Sequence, residues 1–262
     1  MLLGVNGSDV YAYTGARALA GALPTVVFIH GAGHDHSVWA LQSRYFAHHG
    51  WNALAVDLPG HGRSGGGALP SVEAIAEWIP AVLDAAGIEA SALVGHSLGS
   101  LAALECAARH PARIIKVALV GPAAPMPVSE TLLDAAKGNR HLAHELITGW
   151  SYSAGRKLGG SQVPGVWLTG SALRLLERTR PGVLHADLGA CNSYATGVDS
   201  AARVRCPTLV IVGARDIMAP PKSAQALIAA LPDARVVTLP DCGHALMAEQ
   251  PDAVLDALRA FL

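Results

Sequence analysis

Short runs of β-branched and other apolar residues alternate with longer segments of helical periodicity along most of this chain, and this order restricts the fold more than any other feature. It is typical of a mainly parallel sheet that is covered by helices on both faces. The runs at 25–30 and 208–212 are almost continuously apolar, as strands buried on both faces should be. The sequence therefore predicts an α/β fold.

The first two strands should form an antiparallel hairpin at the edge of this sheet. Residues 2–5 and 9–14 have the composition of strands, and the segment Asn6-Gly7-Ser8 between them is a turn sequence. Further strands, each followed by turn residues or a helical pattern, are predicted at 52–57, 92–96, 114–120 and 235–239. With the two apolar runs, the predicted sheet has eight strands.

The clearest helix signal lies at residues 72–86, between the predicted strands 52–57 and 92–96. Apolar residues repeat there at three- and four-residue spacing. Ser71 is a favourable N-cap residue, and Gly87 suits the left-handed position after the helix. Pro80 should bend this helix rather than end it.

The alternation stops between Pro125 and about Ser200. This segment contains glycine and proline punctuation, two tryptophans and helical stretches at 131–147 and 171–180. We interpret residues 125–200 as a helical cap inserted into a core that is formed by residues 1–124 and 201–262. The chain is thus predicted to be one domain with an insertion.

Composition excludes several classes of protein. Hydrophobic residues make up 51% of the 262 residues and charged residues 15%, which favours a sizeable core over disorder. Because 19 Lys and Arg residues balance 20 Asp and Glu residues without a basic stripe, no nucleic-acid partner is expected. No segment resembles a signal peptide or approaches 18 consecutive apolar residues, so we expect a cytoplasmic chain without a membrane partner. Formation of a homodimer is left open.

A G-x-S-x-G pentapeptide, Gly95-His96-Ser97-Leu98-Gly99, lies between the apolar strand 92–96 and a segment of helical pattern. This is the context of a nucleophile elbow, a sharp turn that exposes a serine at the end of a strand. The residues two before and two after that serine must lack side chains that would clash, and Gly95 and Gly99 meet this demand. Ser97 is therefore the predicted nucleophile.

A serine hydroxyl needs a base within hydrogen-bond reach and an acid that orients the base. After an elbow of this kind, the acid and then the base follow at the carboxyl ends of later strands. Asp216 comes just after the strand 208–212 and His244 follows the next strand, so these residues are the predicted acid and base. Asp241 is disfavoured because it shares the loop of His244, and Cys242 is disfavoured as a nucleophile because Ser97 has the better context.

The negative charge that develops on a carbonyl oxygen during acyl transfer needs two backbone N–H donors, the oxyanion hole. Leu98, directly after Ser97, is expected to supply one of them. The second should come from the glycine-rich loop after strand 25–30, where we favour Ala32 and keep Gly33 as the alternative. The predicted walls of the substrate pocket are Gly31, Gly33, His96, Trp150 and Trp167, although both tryptophans suit core packing equally well.

Together these motifs resemble the α/β-hydrolase family, and the resemblance covers the whole chain. It is carried by His30-Gly31 with Trp39 downstream, Asp57-Leu-Pro-Gly-His-Gly-Arg-Ser64, Gly95-His-Ser-Leu-Gly99, Gly213-Ala-Arg-Asp216 and Gly243-His244. It implies an eight-stranded, mostly parallel sheet with an inserted helical cap, and a serine hydrolase. It also implies that His61 and Arg63 are structural or pocket-wall groups outside the catalytic triad.

Several activities share such a triad. Relatives that use aspartate at the elbow, the haloalkane dehalogenases and epoxide hydrolases, are disfavoured by Ser97. We expect hydrolysis of a small carboxylic ester or lactone through an acyl-enzyme. The alternatives are a thioesterase, an amidase, a cofactor-free perhydrolase, a hydroxynitrile lyase, a carbon–carbon bond hydrolase and a slow-turnover ligand receptor. The carbon–carbon hydrolases typically carry tryptophan after the catalytic histidine, where this chain has Ala245 and Leu246.

No cofactor or metal is expected. A dinucleotide-binding turn would need a third glycine where His36 stands, and Thr148 replaces the second ligand of an H-E-x-x-H zinc motif. Three adjacent loop residues such as His34, Asp35 and His36 rarely converge on one ion. The four cysteines are widely spaced and form no CxxC pair, which predicts neither a disulfide framework nor a zinc ribbon.

Overall fold

The computed structural model describes residues 1–21, 23–163 and 165–262. Its strands are β1 (Leu2–Val5), β2 (Ser8–Tyr13), β3 (Thr25–Ile29), β4 (Asn52–Val56), β5 (Ser91–His96), β6 (Ile114–Val120), β7 (Thr208–Gly213) and β8 (Ala234–Leu239). They form one sheet in the order β1-β2-β4-β3-β5-β6-β7-β8. The pairs β1–β2 and β2–β4 are antiparallel, and the other pairs are parallel. The predicted α/β fold with an eight-stranded, mostly parallel sheet is confirmed.

The edge hairpin forms as predicted, with Leu3 opposite Val10. Its turn consists of Asn6 and Gly7, whose φ angles are 48° and 78°. Two-residue turns with positive φ at both positions match the twist of the flanking strands, and asparagine followed by glycine is the favoured pair. For this reason β2 begins at Ser8, one residue earlier than the sequence predicted.

Twelve α-helices are found in the described residues. Their bounds are α1 (Ala40–His48), α2 (Val72–Ala85), α3 (Leu98–Arg109), α4 (Glu130–Lys137), α5 (His141–Ser151), α6 (Ala154–Lys157), α7 (Leu168–Leu176), α8 (Val183–Ser193), α9 (Gly197–Arg203), α10 (Gln225–Ala230), α11 (Leu246–Glu249) and α12 (Pro251–Arg259). Short 3₁₀ helices span His36–Trp39 and Pro221–Ala224. In the part of the chain that the structure describes, no helix has the length and apolar character needed to cross a bilayer.

Hydrophobic cores lie on both faces of the sheet, because successive residues of a strand point to opposite faces. In β3, Val27 and Ile29 belong to one core and Val26 and Phe28 to the other, and all are almost completely buried. Residues of α2 and α3 complete the first core, and residues of α1 and α12 complete the second. The central strands β3, β4, β5 and β7 are therefore buried on both faces, so a site can form at the ends of these strands.

Helix α2 has the predicted ends. The Ser71 hydroxyl accepts a hydrogen bond from Ala74 N–H at 3.1 Å, and Gly87 has a φ of 68° just after the helix. The helix continues through Pro80, in agreement with the prediction that this proline does not end it.

Six helices, α4 to α9, lie between β6 and β7. The single helix predicted at 131–147 is wrong, since α4 and α5 are separate helices. The chain turns between them at Gly138 and Asn139, and Asn139 has a φ of 49°, a backbone conformation that asparagine tolerates better than most residues. Helices α8 and α9 were not predicted, and α9 crosses residue 200. The cap limits of 125 and 200 therefore stay a prediction.

Candidate active site

Ser97 joins β5 to α3 through a strained backbone. Its φ of 52° and ψ of −117° are rarely adopted by residues with side chains. The turn is held by hydrogen bonds on both sides of this residue, because Ser97 N–H donates to Val120 O at 2.9 Å and the Ser100 hydroxyl donates to Ser97 O at 2.6 Å. Ser97 itself is half-buried between buried neighbours. The arrangement has the shape of the nucleophile elbow that the pentapeptide predicts.

The two glycines of the pentapeptide are required by close backbone contacts. A Cβ atom at Gly95 would overlap the carbonyl oxygen of Gly99, and a Cβ atom at Gly99 would overlap the carbonyl oxygen of Ile29. Because these obstacles are backbone atoms of packed elements, a side chain at either position would displace β3 or α3.

Gly99→Ala should therefore destabilise the protein by about 3 kcal/mol, the upper part of the range for overpacking. The control is Gly189→Ala in α8, where nothing lies within 4 Å of the added Cβ and alanine favours the helix. Urea unfolding of both variants measures the difference. A Gly99→Ala variant as stable as Gly189→Ala would contradict the close approach of these backbones.

His244 and Asp216 form a direct contact. His244 Nδ1 donates to Asp216 Oδ2 at 2.7 Å, while Asp216 Oδ1 accepts from the N–H groups of Met218 and Ala219 at 2.8 Å each. Burial raises the pKa of Asp216, but His244 and these backbone donors outweigh burial and hold the pKa below its ordinary value. The carboxylate is thus ionised and fixes the histidine tautomer with its proton on Nδ1. Asp241, the alternative, has a side chain that is 81% exposed and lies 3.5 Å from Arg215.

The loop that carries His244 is held by its backbone. The N–H groups of His244 and Ala245 both donate to Ser151 O, at 2.7 and 2.9 Å, and His96 Nε2 donates to His244 O at 2.8 Å. Burial, together with His244, lowers the pKa of His96 well below its ordinary value, so His96 is a neutral positioning group. Gly121 packs close to the imidazole, because a Cβ atom there would lie 3.3 Å from the His244 ring.

Within the described residues, neither of the two predicted oxyanion donors, Leu98 N–H and Ala32 N–H, has an acceptor. Leu98 is the first residue of α3, so its N–H has no carbonyl partner within the helix. Among the described residues, no acceptor is found for Ala32 N–H. The preceding carbonyl, Gly31 O, accepts from His30 Nδ1 at 2.8 Å, and His30 Nε2 in turn accepts from Leu58 N–H at 3.1 Å. These bonds fix the orientation of the peptide that carries Ala32 N–H.

Gly33 differs from its predicted roles. Its N–H already donates to Asp187 Oδ2 at 2.8 Å, and Gly33 is not among the described residues that border the cavity. Both polar groups of the peptide between Ala32 and Gly33 already have partners, because its N–H donates to Asp187 and its carbonyl accepts from His34 Nδ1 at 2.7 Å. Of the two alternatives for the second donor, Ala32 is therefore the better supported.

Ser97, His244 and Ala32 border one cavity of about 910 Å³. The predicted pocket residues that also border it are Gly31, His96 and Trp150. Most of the remaining wall is apolar and includes Leu41, Val128, Leu132, Ile147, Leu175 and Met247. A cavity of this kind suits a ligand with an apolar portion and a polar group near Ser97.

Trp167 is placed differently from the prediction. It is 70% exposed and is not among the described residues that border the cavity. Its backbone is extended at the start of α7, and Val166 and Leu168 on either side of it border the cavity instead. Because neighbouring residues of an extended segment point in opposite directions, the tryptophan lies outside.

Two residues of this region were missed in the sequence. His34 borders the cavity, and burial lowers its pKa, so its ring is neutral. Asp187 lies in α8, a helix that the sequence pattern did not reveal, and its side chain is buried. A buried aspartate needs partners, but its sequence gives no sign of which residues they are.

A possible metal-binding cluster and a cysteine near the site are both disfavoured as reactive groups by their surroundings. Asp35, His36 and Asp57 could each offer a metal ligand, with atoms within 4.8 Å of one another. The Asp57 carboxylate, however, accepts hydrogen bonds from His36 N–H, His36 Nδ1 and Arg63 N–H. Cys242 is buried, and burial raises the pKa of its thiol, which disfavours the thiolate that a nucleophile needs.

The chain belongs to the alpha/beta hydrolase family, because a model of this family matches residues 26–257. It is 32% identical over 245 residues to the pimeloyl-(acyl-carrier protein) methyl ester esterase of Aromatoleum aromaticum, a match that covers 87% of this chain and 94% of the relative. It is 25% identical to the 2-hydroxy-6-oxo-6-phenylhexa-2,4-dienoate hydrolase of Burkholderia cepacia, over 89% of this chain and 86% of that protein.

The fold is shared with solved structures over its full length. The enol-lactonase from Burkholderia xenovorans LB400 superposes with a TM-score of 0.88 at 24% identity, covering 100% of this chain and 99% of the other. This likeness shows the fold, and the family match together with the esterase relative shows that the chain is a member of the alpha/beta hydrolase family. The expected resemblance is thus confirmed.

Proposed function

We propose that this protein hydrolyses a carboxylic ester or lactone through an acyl-enzyme formed on Ser97, without a cofactor. The observation that carries the proposal is the 2.7 Å contact between His244 Nδ1 and Asp216 Oδ2, on the same cavity as the strained Ser97. A neutral imidazole oriented by a buried carboxylate, beside a serine on an elbow, is the arrangement that activates a hydroxyl nucleophile.

In the acylation step, His244 Nε2 takes the proton of the Ser97 hydroxyl as Oγ attacks the substrate carbonyl carbon. The electron pair of the C=O bond moves to oxygen, and the N–H groups of Leu98 and Ala32 stabilise that charge. The bond to the leaving oxygen then breaks, and His244 returns its proton to the alcohol. In a lactone, the alcohol stays attached to the acyl group.

Deacylation repeats the sequence with water as the nucleophile. His244 takes a proton from water, the hydroxide attacks the acyl carbon, and the proton passes to Ser97 Oγ as the acid leaves. The lowered pKa of Asp216 keeps the carboxylate charged while the imidazolium exists, so the ion pair stabilises both transition states.

The mechanism is tested by covalent labelling. A fluorophosphonate should react with one serine, and peptide mass spectrometry should find the adduct on Ser97. Ser97→Ala should abolish the label. An adduct on another residue of the wild-type protein, or no adduct at all, would reject the proposed nucleophile.

The apolar wall supports an acyl chain of intermediate length. Because burial of one methylene group contributes about 0.8 kcal/mol, kcat/KM for p-nitrophenyl esters should rise by about fourfold per methylene until the cavity is filled. Assays from acetate upward, beside a panel of lactones, measure this slope and show whether open-chain or cyclic esters are preferred.

A matched pair of variants tests whether the increase of kcat/KM with acyl chain length depends on the cavity wall. Leu175→Asn places a polar group on the wall and should flatten the increase with chain length, whereas Leu158→Asn alters a side chain that is 92% exposed and should leave it unchanged. Equal rates for acetate and octanoate esters in the wild-type protein would show that the acyl group does not occupy this cavity.

A further inference from the structure

The insert binds both backbone polar groups of Gly33, next to the predicted oxyanion donor Ala32. Asp187 Oδ2 in α8 accepts from Gly33 N–H at 2.8 Å, and the hydroxyl of Thr179 donates to Gly33 O at 2.8 Å. The space next to Gly33 is also filled, because a Cβ atom there would lie 3.0 Å from Leu184 and 3.1 Å from Leu176. The loop that carries Ala32 N–H is therefore packed directly against helices that are more than 140 residues away in the chain.

The same oxygen of Asp187 binds His61. His61 Nε2 lies 2.8 Å from Asp187 Oδ2, and His61 Nδ1 lies 3.0 Å from Pro59 O. Since a carboxylate and a carbonyl oxygen only accept hydrogen bonds, both ring nitrogens donate and the ring is an imidazolium. Burial lowers the pKa of His61, but the charge and hydrogen bond of Asp187 outweigh burial and raise it. Both side chains are only 2% exposed, so this ion pair is rigidly enclosed.

We propose that Asp187 is a positioning residue for catalysis, through which the helical insert fixes the oxyanion hole. The inference rests on the proposed function of Ser97 and adds a requirement to it: the insert does more than shape the pocket. Among the described residues, the hydrogen bonds of Asp187 go to Gly33 and His61 and not to Ser97 or His244, so it would act through Gly33 N–H.

The effect reaches Ala32 through two consecutive peptide groups. Asp187 holds the N–H side of the peptide between Ala32 and Gly33, and His34 holds its carbonyl side. The peptide after Ala32 is fixed by these two bonds, and the peptide before it is fixed by the bond from His30 Nδ1 to Gly31 O. The backbone of Ala32 therefore has little freedom to rotate. Donors of an oxyanion hole act through their preorganised direction, so loss of one anchor should reduce the rate more than it reduces substrate binding.

The test compares Asp187→Ala and Asp187→Asn with Asp134→Asn, which removes an exposed carboxylate of α4. Each variant is titrated with a fluorophosphonate so that kcat is expressed per reactive serine. We expect kcat of Asp187→Ala to fall by about 10- to 100-fold, with KM within about twofold of the wild type. Asp187→Asn keeps one acceptor oxygen, so its kcat should lie between those of Asp187→Ala and the wild type. The kcat of Asp134→Asn should match that of the wild type.

A second measurement follows the oxyanion directly. A trifluoromethyl ketone forms a tetrahedral adduct with a serine and carries the oxyanion, so its affinity should fall in parallel with kcat across the variants. If Asp187→Ala does not fold, Asp187→Asn supplies both readouts.

Three outcomes would overturn the inference. An unchanged kcat per reactive serine with a lower melting temperature would make Asp187 purely structural. A higher KM with unchanged kcat would assign it to the shape of the pocket, and unchanged ketone affinity would separate it from the oxyanion. A wild-type protein that is not labelled at Ser97 would instead reject the proposed function, so the two failures are distinguishable.

Discussion

Ser97→Ala should lower kcat for ester hydrolysis by about a millionfold, and His244→Ala should have a similar effect. In the proposed mechanism the two side chains act as one unit, because a serine hydroxyl is a weak nucleophile until the imidazole removes its proton. The double variant should therefore be hardly slower than either single variant. Steady-state assays with a p-nitrophenyl ester, on protein free of host esterases, measure the losses.

The matched control is Ser193→Ala, which removes an exposed hydroxyl at the end of α8 and should retain wild-type kcat. Ser97→Ala and Ser193→Ala should unfold at urea concentrations close to that of the wild type, because each change removes few buried contacts. His244→Ala should unfold at a lower concentration, because it leaves the buried Asp216 carboxylate without its partner. If Ser97→Ala retained more than a hundredth of the wild-type kcat, the loss would be far smaller than that expected for a triad member. Another group would then form the acyl-enzyme.

Asp216→Asn should lower kcat by about ten-thousandfold at neutral pH while leaving the fold intact. The reason lies in the hydrogen bonds of Asp216. Met218 and Ala219 donate to Oδ1, so the amide oxygen will take that position and the NH₂ group will face His244 Nδ1. The imidazole must then accept at Nδ1 and carry its proton on Nε2, where it cannot accept the proton of Ser97.

Asp241→Asn is the control for this variant, because Asp241 is an exposed aspartate next to the same loop. It should retain wild-type activity. A large loss in Asp241→Asn together with an active Asp216→Asn would exchange the assignment of the acid.

The contribution of Asp216 to the stability of the folded protein depends on pH with a definite sign. The folded pKa of Asp216 is lowered, so its contribution to stability is fully present above the unfolded carboxyl value, about 3.9, and is lost as the pH falls through the folded value. Any loss of kcat/KM between pH 8 and 5 must then come from another group, and the proposed mechanism requires a base that is neutral when it accepts the proton of Ser97. Melting curves below about pH 4 follow the loss of stability from Asp216, and rates between pH 8 and 5 follow the other group, so the two processes are separated.

The strands could be predicted closely because of where they lie. A strand buried on both faces must be apolar at every position, so β3 and β7 leave a continuous pattern in the sequence. The insert lacks such a pattern. Helix α8 mixes buried residues such as Leu188 with glycine and polar residues, and it was missed, although it carries Asp187.

The sequence by itself determined the sheet, the elbow at Ser97 and the two strand ends that bring Asp216 to His244. These features depend on local signals: apolar runs, glycines that backbone contacts require, and the chain order of parallel strands. Only the tertiary structure decided which acceptor Gly33 N–H meets, that Trp167 lies outside the cavity, and that His61 is paired with Asp187. Gly33 and Asp187 are 154 residues apart, and hydrogen bonds between such distant residues follow from how helices pack, which leaves no periodic trace in the sequence.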